Sequence, residues 1–182
     1  MNNNIIPKVL IVDDIENNRL LIQLFLEDSG EYQFFEAEDG QEGVDIALKE
    51  IPHLILMDAM MPKMDGFEAI EILRNNPKTH NIPILMVSTL NNKDEKVKAL
   101  KSGMSDFISK PLDQTELAIR VNSLLHIYLK FLEKQSELED INSHLEEKVN
   151  EKFNRRVNEL KLASIGEVTA GITHELNTPV TY

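Results

Sequence analysis

The sequence predicts an α/β domain, a five-stranded parallel sheet wound with helices on both faces (doubly wound), followed by a long C-terminal coiled-coil helix. Three observations carry this reading. Short continuous apolar runs alternate with amphipathic stretches in the first part of the chain, the pattern of parallel strands covered on both sides. Six of the seven Pro and five of the seven Gly lie at or before Pro111. From Leu112 to Ile165 there are 54 residues with neither, rich in Glu, Leu, Lys and Asn, which suits one helix roughly 80 Å long at about 1.5 Å per residue.

The elements follow in order. Val9-Leu10-Ile11-Val12 is a first strand ending in Asp13-Asp14. An amphipathic helix follows, with Leu20, Leu21, Leu24 and Phe25, and stops at Ser29-Gly30. Tyr32–Phe35 is a second strand, and Gln41–Glu50 a helix ended near Pro52. Leu54–Met57 is a third strand ending in Asp58. Phe67–Leu73 is helical and stops before Pro77. Pro83–Val87 is a fourth strand leading into Ser88-Thr89. Asp94–Lys101 is a helix stopped by Gly103, and Asp106–Ser109 a short fifth strand before Lys110-Pro111.

The 182 residues include 31 acidic and 19 basic side chains, a formal charge of −12, with a pI near 4.8. That balance disfavours nucleic acid or an anionic membrane as main partner. Cysteine is absent, which excludes disulfides, thiolate metal sites and cysteine nucleophiles and fits a cytoplasmic setting. No apolar run approaches the ~20 residues of a membrane span, and the start, MNNNIIPK, lacks a signal-peptide pattern.

In parallel α/β sheets, ligands sit outside the carboxyl ends of the strands. Here those ends carry Asp13, Asp14, Asp58, Ser88 and Lys110. Three carboxylates gathered at one edge repel one another and need a cation. Mg2+ suits a site with few protein carboxylates and several waters, and Lys110 adds a compact positive charge. An Asp so placed is a competent nucleophile on phosphorus, with Ser88 as hydrogen-bond donor to a phosphoryl oxygen.

The runs VLIVDD, LILMDAMMPKMDG, PILMVST and DFISKP resemble the receiver domain of two-component response regulators, over residues ~6–126. The resemblance implies a flavodoxin-like fold, Asp58 as phospho-acceptor, and Mg2+ held by Asp13, Asp14 and Asp58 with the backbone carbonyl of Met60. It further implies that Ser88 and Lys110 contact the phosphoryl group, that the Lys110–Pro111 bond is cis, and that Phe107 is the switch aromatic. Ser88 stands where Thr is commoner. A haloacid-dehalogenase-type phosphatase would need a second Asp two residues after the nucleophile, where this chain has Met60. Dinucleotide binding is unsupported, since no GxGxxG follows the first strand.

Asp113 and Glu116 have capping-box spacing, so the last helix is expected to start there, with Leu117, Val121, Leu124 and Leu125 facing the sheet. Apolar positions continue at Tyr128, Leu132, Leu138, Ile141, Leu145, Val149, Phe153, Val157 and Leu160, spaced mostly three and four as a coiled-coil seam requires. From Leu145 to Val157 they run four, four, four, a stutter that locally unwinds a supercoil. A single helix cannot bury such a seam, and a parallel homodimer is expected.

From Leu162 the composition turns to small residues, and a helical seam continues through Ile165, Val168, Ile172 and Leu176. His174 lies about 200° around the helix from Ile172 and so points away from that seam. An exposed imidazole is a competent nucleophile for phosphorus, and Glu175 beside it can take its proton. Thr178 follows one turn later, and Pro179 favours a bend. His53, His80, His126 and His144 are read as ordinary surface residues. The string HELNTP within ASIGEVTAGITHELNTP resembles the H-box of histidine kinases of the dimerisation-and-phosphotransfer type. That resemblance implies His174 as the phosphorylated histidine, Glu175 as its acid/base partner, and Thr178 as a residue positioning water for dephosphorylation.

The expected organisation is therefore a receiver over 1–126, a coiled-coil linker helix over 127–161, and the start of a phosphotransfer helix over 162–182. The ATP-binding domain of the kinase family has no counterpart here, so no autokinase activity is expected of this chain, which reads as a fragment of a hybrid sensor kinase. The partner would be a cognate histidine kinase or phosphotransfer protein. The alternative is a dimerising receiver scaffold without histidine phosphotransfer.

Overall fold

The computed structural model describes residues 5–89 and 102–176, with side chains of the last helix as far as Lys161, Glu159 excepted. The chain forms two compact units, Met1–Leu132 and Glu133–Tyr182. In the first, strands β1 (Lys8–Val12), β2 (Gln33–Ala37), β3 (Leu54–Asp58), β4 (Ile84–Ser88) and β5 (Asp106–Ser109) form one parallel sheet in the order β2-β1-β3-β4-β5. Helices α1 (Glu16–Glu27), α2 (Gly40–Glu50), α3 (Gly66–Asn75) and the long α4 (Gln114–Leu176) complete the described elements. The helix expected over Asp94–Lys101 lies outside the described residues.

The apolar runs become strands because both of their faces are covered. Side chains alternate across a strand, and here each alternate set enters a different core. Leu10, Val12, Ile55, Met57, Ile84 and Met86 meet Val44 and Ala47 of α2 and Ile70 and Leu73 of α3. Val9, Ile11, Leu54, Leu56, Leu85 and Val87 meet Ile22 and Leu26 of α1 and Leu117, Val121 and Leu125 of α4. Strands β3 and β4 are buried along their whole length, which puts them in the middle of the sheet and accounts for their unbroken apolar sequence.

Two expectations about packing are corrected. On α1 the buried stripe is Ile22 and Leu26, with Phe25 partly covered, whereas Leu20, Leu21 and Leu24 face outward. Residues four apart share a helix face, so once Ile22 and Leu26 enter the core, Leu20 and Leu24 lie on another side. On α4, Tyr128 and Leu132 pack on the sheet-and-helix core of the first unit and do not join an exposed seam.

Caps fix the helix starts. Asp39 accepts a hydrogen bond from the Glu42 amide, and Asp65 forms a reciprocal capping box with Glu68. Asp113 accepts from the Glu116 amide at 2.8 Å, but the Glu116 carboxylate is held by Arg120 at 2.7 and 2.9 Å, so that box is half formed.

In the second unit α4 presents Leu138, Ile141, Leu145, Val149, Phe153 and Leu160 on its exposed surface. Its backbone stays helical through Gly166 and Gly171 to Leu176. Among the described residues, no helix is long and apolar enough to cross a membrane.

Candidate functional site

The sheet order reverses direction at β1, with β2 on one side and β3 on the other. Connections diverge there and leave a crevice at the carboxyl ends of the strands. Asp13 follows β1, Asp58 ends β3, Ser88 ends β4 and Lys110 follows β5. Register ties them to one edge: Val12 pairs with Met57, Asp58 with Val87, and Ser88 with Ser109.

The side chains converge as the sequence predicts. One oxygen from each of Asp13, Asp14 and Asp58 lies within 4.8 Å of the others. Lys110 Nζ donates to Asp58 Oδ2 at 2.5 Å and to Asp13 Oδ2 at 2.8 Å. Asp13 is 1% exposed and Ser88 3%, while Asp14 is exposed. Burial pushes the Asp58 carboxyl above its usual range, Lys110 pulls it back down, and the neighbouring Asp13 charge adds to the rise. Burial also works against the charge on Lys110, but its bonds to Asp13 and Asp58 outweigh this and hold the ammonium above its ordinary pKa. The cluster is two aspartates clamped by one lysine, with a third carboxylate at the rim.

The loop after β3 is held from both ends. The Met60 amide donates to Asp58 Oδ1 at 3.4 Å, and the Met60 side chain is exposed. Gly66 opens α3 directly against the end of β3: a Cβ there would run into the Asp58 carbonyl oxygen, so only glycine fits. Gly40 does the same beside Met64, donating its amide to the Met64 carbonyl at 3.2 Å. Phe107 of β5 is half-buried against the α2/α3 core. The Lys110–Pro111 peptide is cis, as expected.

Three contributors escape a reading of strand ends alone. Asn18, in the first turn of α1, donates its amide to both oxygens of Asp13 at 2.8 and 3.1 Å. Arg19 donates to the Asp13 carbonyl oxygen at 2.7 Å and to Glu36 at 2.8 Å. Lys63, at a positive φ of 66°, donates to Asp39 at 2.5 Å and so ties the loop after β3 to the start of α2. The only sequence signal for Asn18 is its distance from Asp13, five residues across a helix start. His53, read as an ordinary surface residue, is half-buried, and its Nδ1 accepts the Lys8 amide at 2.8 Å. His174 and Glu175 fall on the α4 backbone, and Thr178 lies outside the described residues.

Comparison with known proteins agrees with this geometry. Residues 9–122 match the response regulator receiver domain. The chain is 38% identical over 122 residues to the response regulator PleD of Caulobacter vibrioides, which is 67% of this chain and 27% of that protein. It is 36% identical over 146 residues to hybrid signal transduction histidine kinase D of Dictyostelium discoideum, 80% of this chain and 9% of that protein. The match thus spans only a minor part of these relatives' length. Among solved structures, the Vibrio cholerae chemotaxis protein CheY4 superposes with a TM-score of 0.62 at 30% identity, covering 66% of this chain and 99% of that one. The signal receiver domain of a signal transduction histidine kinase from Syntrophus aciditrophicus gives a TM-score of 0.62 at 32% identity, covering 66% and 90%. With five parallel strands in the receiver order and an acidic pocket of the kind at which such domains generally bind Mg2+, this chain belongs to the response regulator receiver domain family of two-component signalling.

Proposed function

We propose that Asp58 accepts a phosphoryl group, with Mg2+ held by Asp13, Asp14 and Asp58 and by the Met60 carbonyl, and that the signal passes along α4 in a parallel homodimer toward His174. The observation that carries this is the clamp on Asp58, whose Oδ2 lies 2.5 Å from Lys110 beside two further carboxylates. The donor set fits the ion. Its ligands are all oxygen, they are few, and Asp14 at the rim leaves room for water, which Mg2+ retains when bound.

In the transfer, an Asp58 oxygen forms a bond to phosphorus as the bond from phosphorus to the donor's imidazole nitrogen breaks. The leaving imidazole keeps that electron pair. Mg2+, when bound, offsets the negative charge of the phosphoryl oxygens. Lys110 places a second cation against the same oxygens, in a site where low water access strengthens the attraction. Ser88 offers a hydroxyl at the end of the neighbouring strand. Asn18 and the Ile15 amide hold Asp13 in place beside the reacting carboxylate.

The exposed row from Leu138 to Leu160 supports the dimer, because an isolated helix cannot cover it. The receiver over 1–126, the linker over 127–161 and the phosphotransfer segment over 162–182 are the proposed divisions. His174 would be the phosphohistidine, with Glu175 taking its proton and Thr178 orienting water. The setting is cytoplasmic, and the phosphoryl donor is a cognate histidine kinase or phosphotransfer protein.

Incubation with acetyl phosphate and Mg2+, followed by intact-protein mass measurement, tests the acceptor. The parent is expected to gain one phosphoryl group and Asp58→Asn none. Equal labelling of the two would overturn the assignment. Phosphate found on His174 from a kinase donor would support the histidine branch, and its absence would leave the dimerising scaffold as the function of α4.

A further inference from the structure

We infer that Asn18 is a positioning residue for the cation site: it holds the Asp13 carboxylate in the orientation that binds Mg2+. The inference rests on the proposed metal reading. A carboxylate offers about four lone-pair directions, and on Asp13 all four are engaged. Oδ1 accepts from the Ile15 amide at 3.0 Å and from Asn18 Nδ2 at 2.8 Å. Oδ2 accepts from Asn18 Nδ2 at 3.1 Å and from Lys110 Nζ at 2.8 Å.

These donors differ in stiffness. The Ile15 amide is backbone, and Asn18 has a short side chain in the first turn of α1. Lys110 sits on a flexible four-carbon stem. Of the three, Lys110 is the partner that can yield to an incoming cation, while Ile15 and Asn18 keep the carboxylate where it is. Arg19 fixes the same residue from behind through its carbonyl oxygen, at 2.7 Å. Asp14, by contrast, is exposed. The pocket therefore combines one anchored carboxylate with one at the rim.

The local sequence indicates that the Asn18 amide is committed to this task. Helix α1 starts without a side-chain cap, because Ile15 stands at the N-cap position. The Asn18 backbone amide goes to the Ile15 carbonyl at 3.0 Å, so its side chain is not needed by the helix end. It reaches back to a carboxylate that is almost wholly buried. Groups that orient a metal ligand change affinity about 10- to 100-fold when removed.

The test is calorimetric titration of Mg2+ into the full chain, well below the melting temperature, for the parent, Asn18→Leu, Asn18→Gln and Asn17→Ala. Asn18→Leu keeps the branched shape and loses the donor, and is expected to weaken Mg2+ binding by about tenfold or more. Asn18→Gln keeps an amide on a longer stem and is expected to recover part of that loss. Asn17→Ala, on the exposed side of the same turn, is expected to bind as the parent does. The Mg2+ concentration giving half-maximal phosphorylation by acetyl phosphate should rise in parallel in Asn18→Leu. A variant that melts earlier yet binds Mg2+ as tightly as the parent would show a merely structural role and overturn the inference. If the parent itself bound no Mg2+, the metal reading would fall first and take this inference with it.

Discussion

Replacing Gly66 with alanine sets two physical effects against each other. Helix propensity alone predicts a gain, because glycine in a helix costs about 0.5–1 kcal/mol relative to alanine. The structure predicts the opposite. A Cβ on Gly66 would overlap the Asp58 carbonyl oxygen and come within 3.1 Å of Ala59 Cα, both backbone atoms of the strand end and its exit. Neither can swing aside as a flexible side chain would, and the Gly66 amide is bonded to the Ala59 carbonyl at 3.1 Å. Relief requires α3 to back away from β3. Forcing extra volume into such a contact costs typically about 1–3 kcal/mol. Overlap with a backbone oxygen puts the cost at the upper end, about 3 kcal/mol, and subtracting the propensity gain leaves a net destabilisation of roughly 2–2.5 kcal/mol, or a fall in Tm of about 5–15 °C. Urea and thermal unfolding measure this directly. Because the displaced atoms belong to Asp58 and its neighbour, phosphorylation by acetyl phosphate should slow as well. An alanine variant as stable as the parent, or more so, would refute the reasoning and show that α3 is not seated on the end of β3.

Other consequences follow from the same packing. His53 accepts the Lys8 amide through Nδ1 and is half-buried, and burial, aided by the Lys8 charge, lowers its pKa. A base with a depressed folded pKa contributes stability that is present above the unfolded value, near 6.5, and is lost as pH falls from there through the lower folded value. The urea midpoint should therefore drop more between pH 7.5 and 5.5 in the parent than in His53→Gln, with a slope from this group of at most about 1.4 kcal/mol per pH unit; identical slopes would contradict it. Arg74 donates to the carbonyl oxygens of Gly103, Ile82 and His80 at 2.7, 2.8 and 3.0 Å. Arg74→Leu should cost about 2–4 kcal/mol by leaving acceptors unpaired, and Arg74→Lys should rescue little, since one ammonium cannot replace the planar fork; chemical denaturation checks both. Leu145→Asp combined with Val149→Asp should convert the proposed dimer to a monomer by light scattering, with the first unit's unfolding unchanged; a parent that is already monomeric at tens of micromolar would contradict the dimer.

The fold was legible because covered parallel strands must be apolar on both sides, and runs such as LILMD and ILMVS leave no other economical placement. Asp13, Asp58, Ser88 and Lys110 were legible for a related reason: each directly follows or ends such a run, so the sheet alone delivers them to one edge. Asn18, Arg19 and Lys63 were not, because they act across helix starts and loops, where no period links a residue to its partner. Lys63 reaches Asp39 from 24 positions away, and nothing in either segment announces the pairing. Helix faces were harder still. On α1, six apolar residues among twelve allow more than one buried stripe, and only the adjoining sheet selects Ile22 and Leu26. The seam along α4 shows the same limit: Tyr128 and Leu132 fit its spacing, yet the core of the first unit claims them.

The central claim is that Asp58, clamped by Lys110 beside Asp13 and Asp14, is the residue that carries phosphate. Borohydride reduces an aspartyl phosphate to homoserine, and peptide mapping of the phosphorylated, reduced protein locates the change. The account predicts homoserine at position 58 and nowhere else. Homoserine at position 13 or 14, or a stable phosphoester on Ser88, would contradict it.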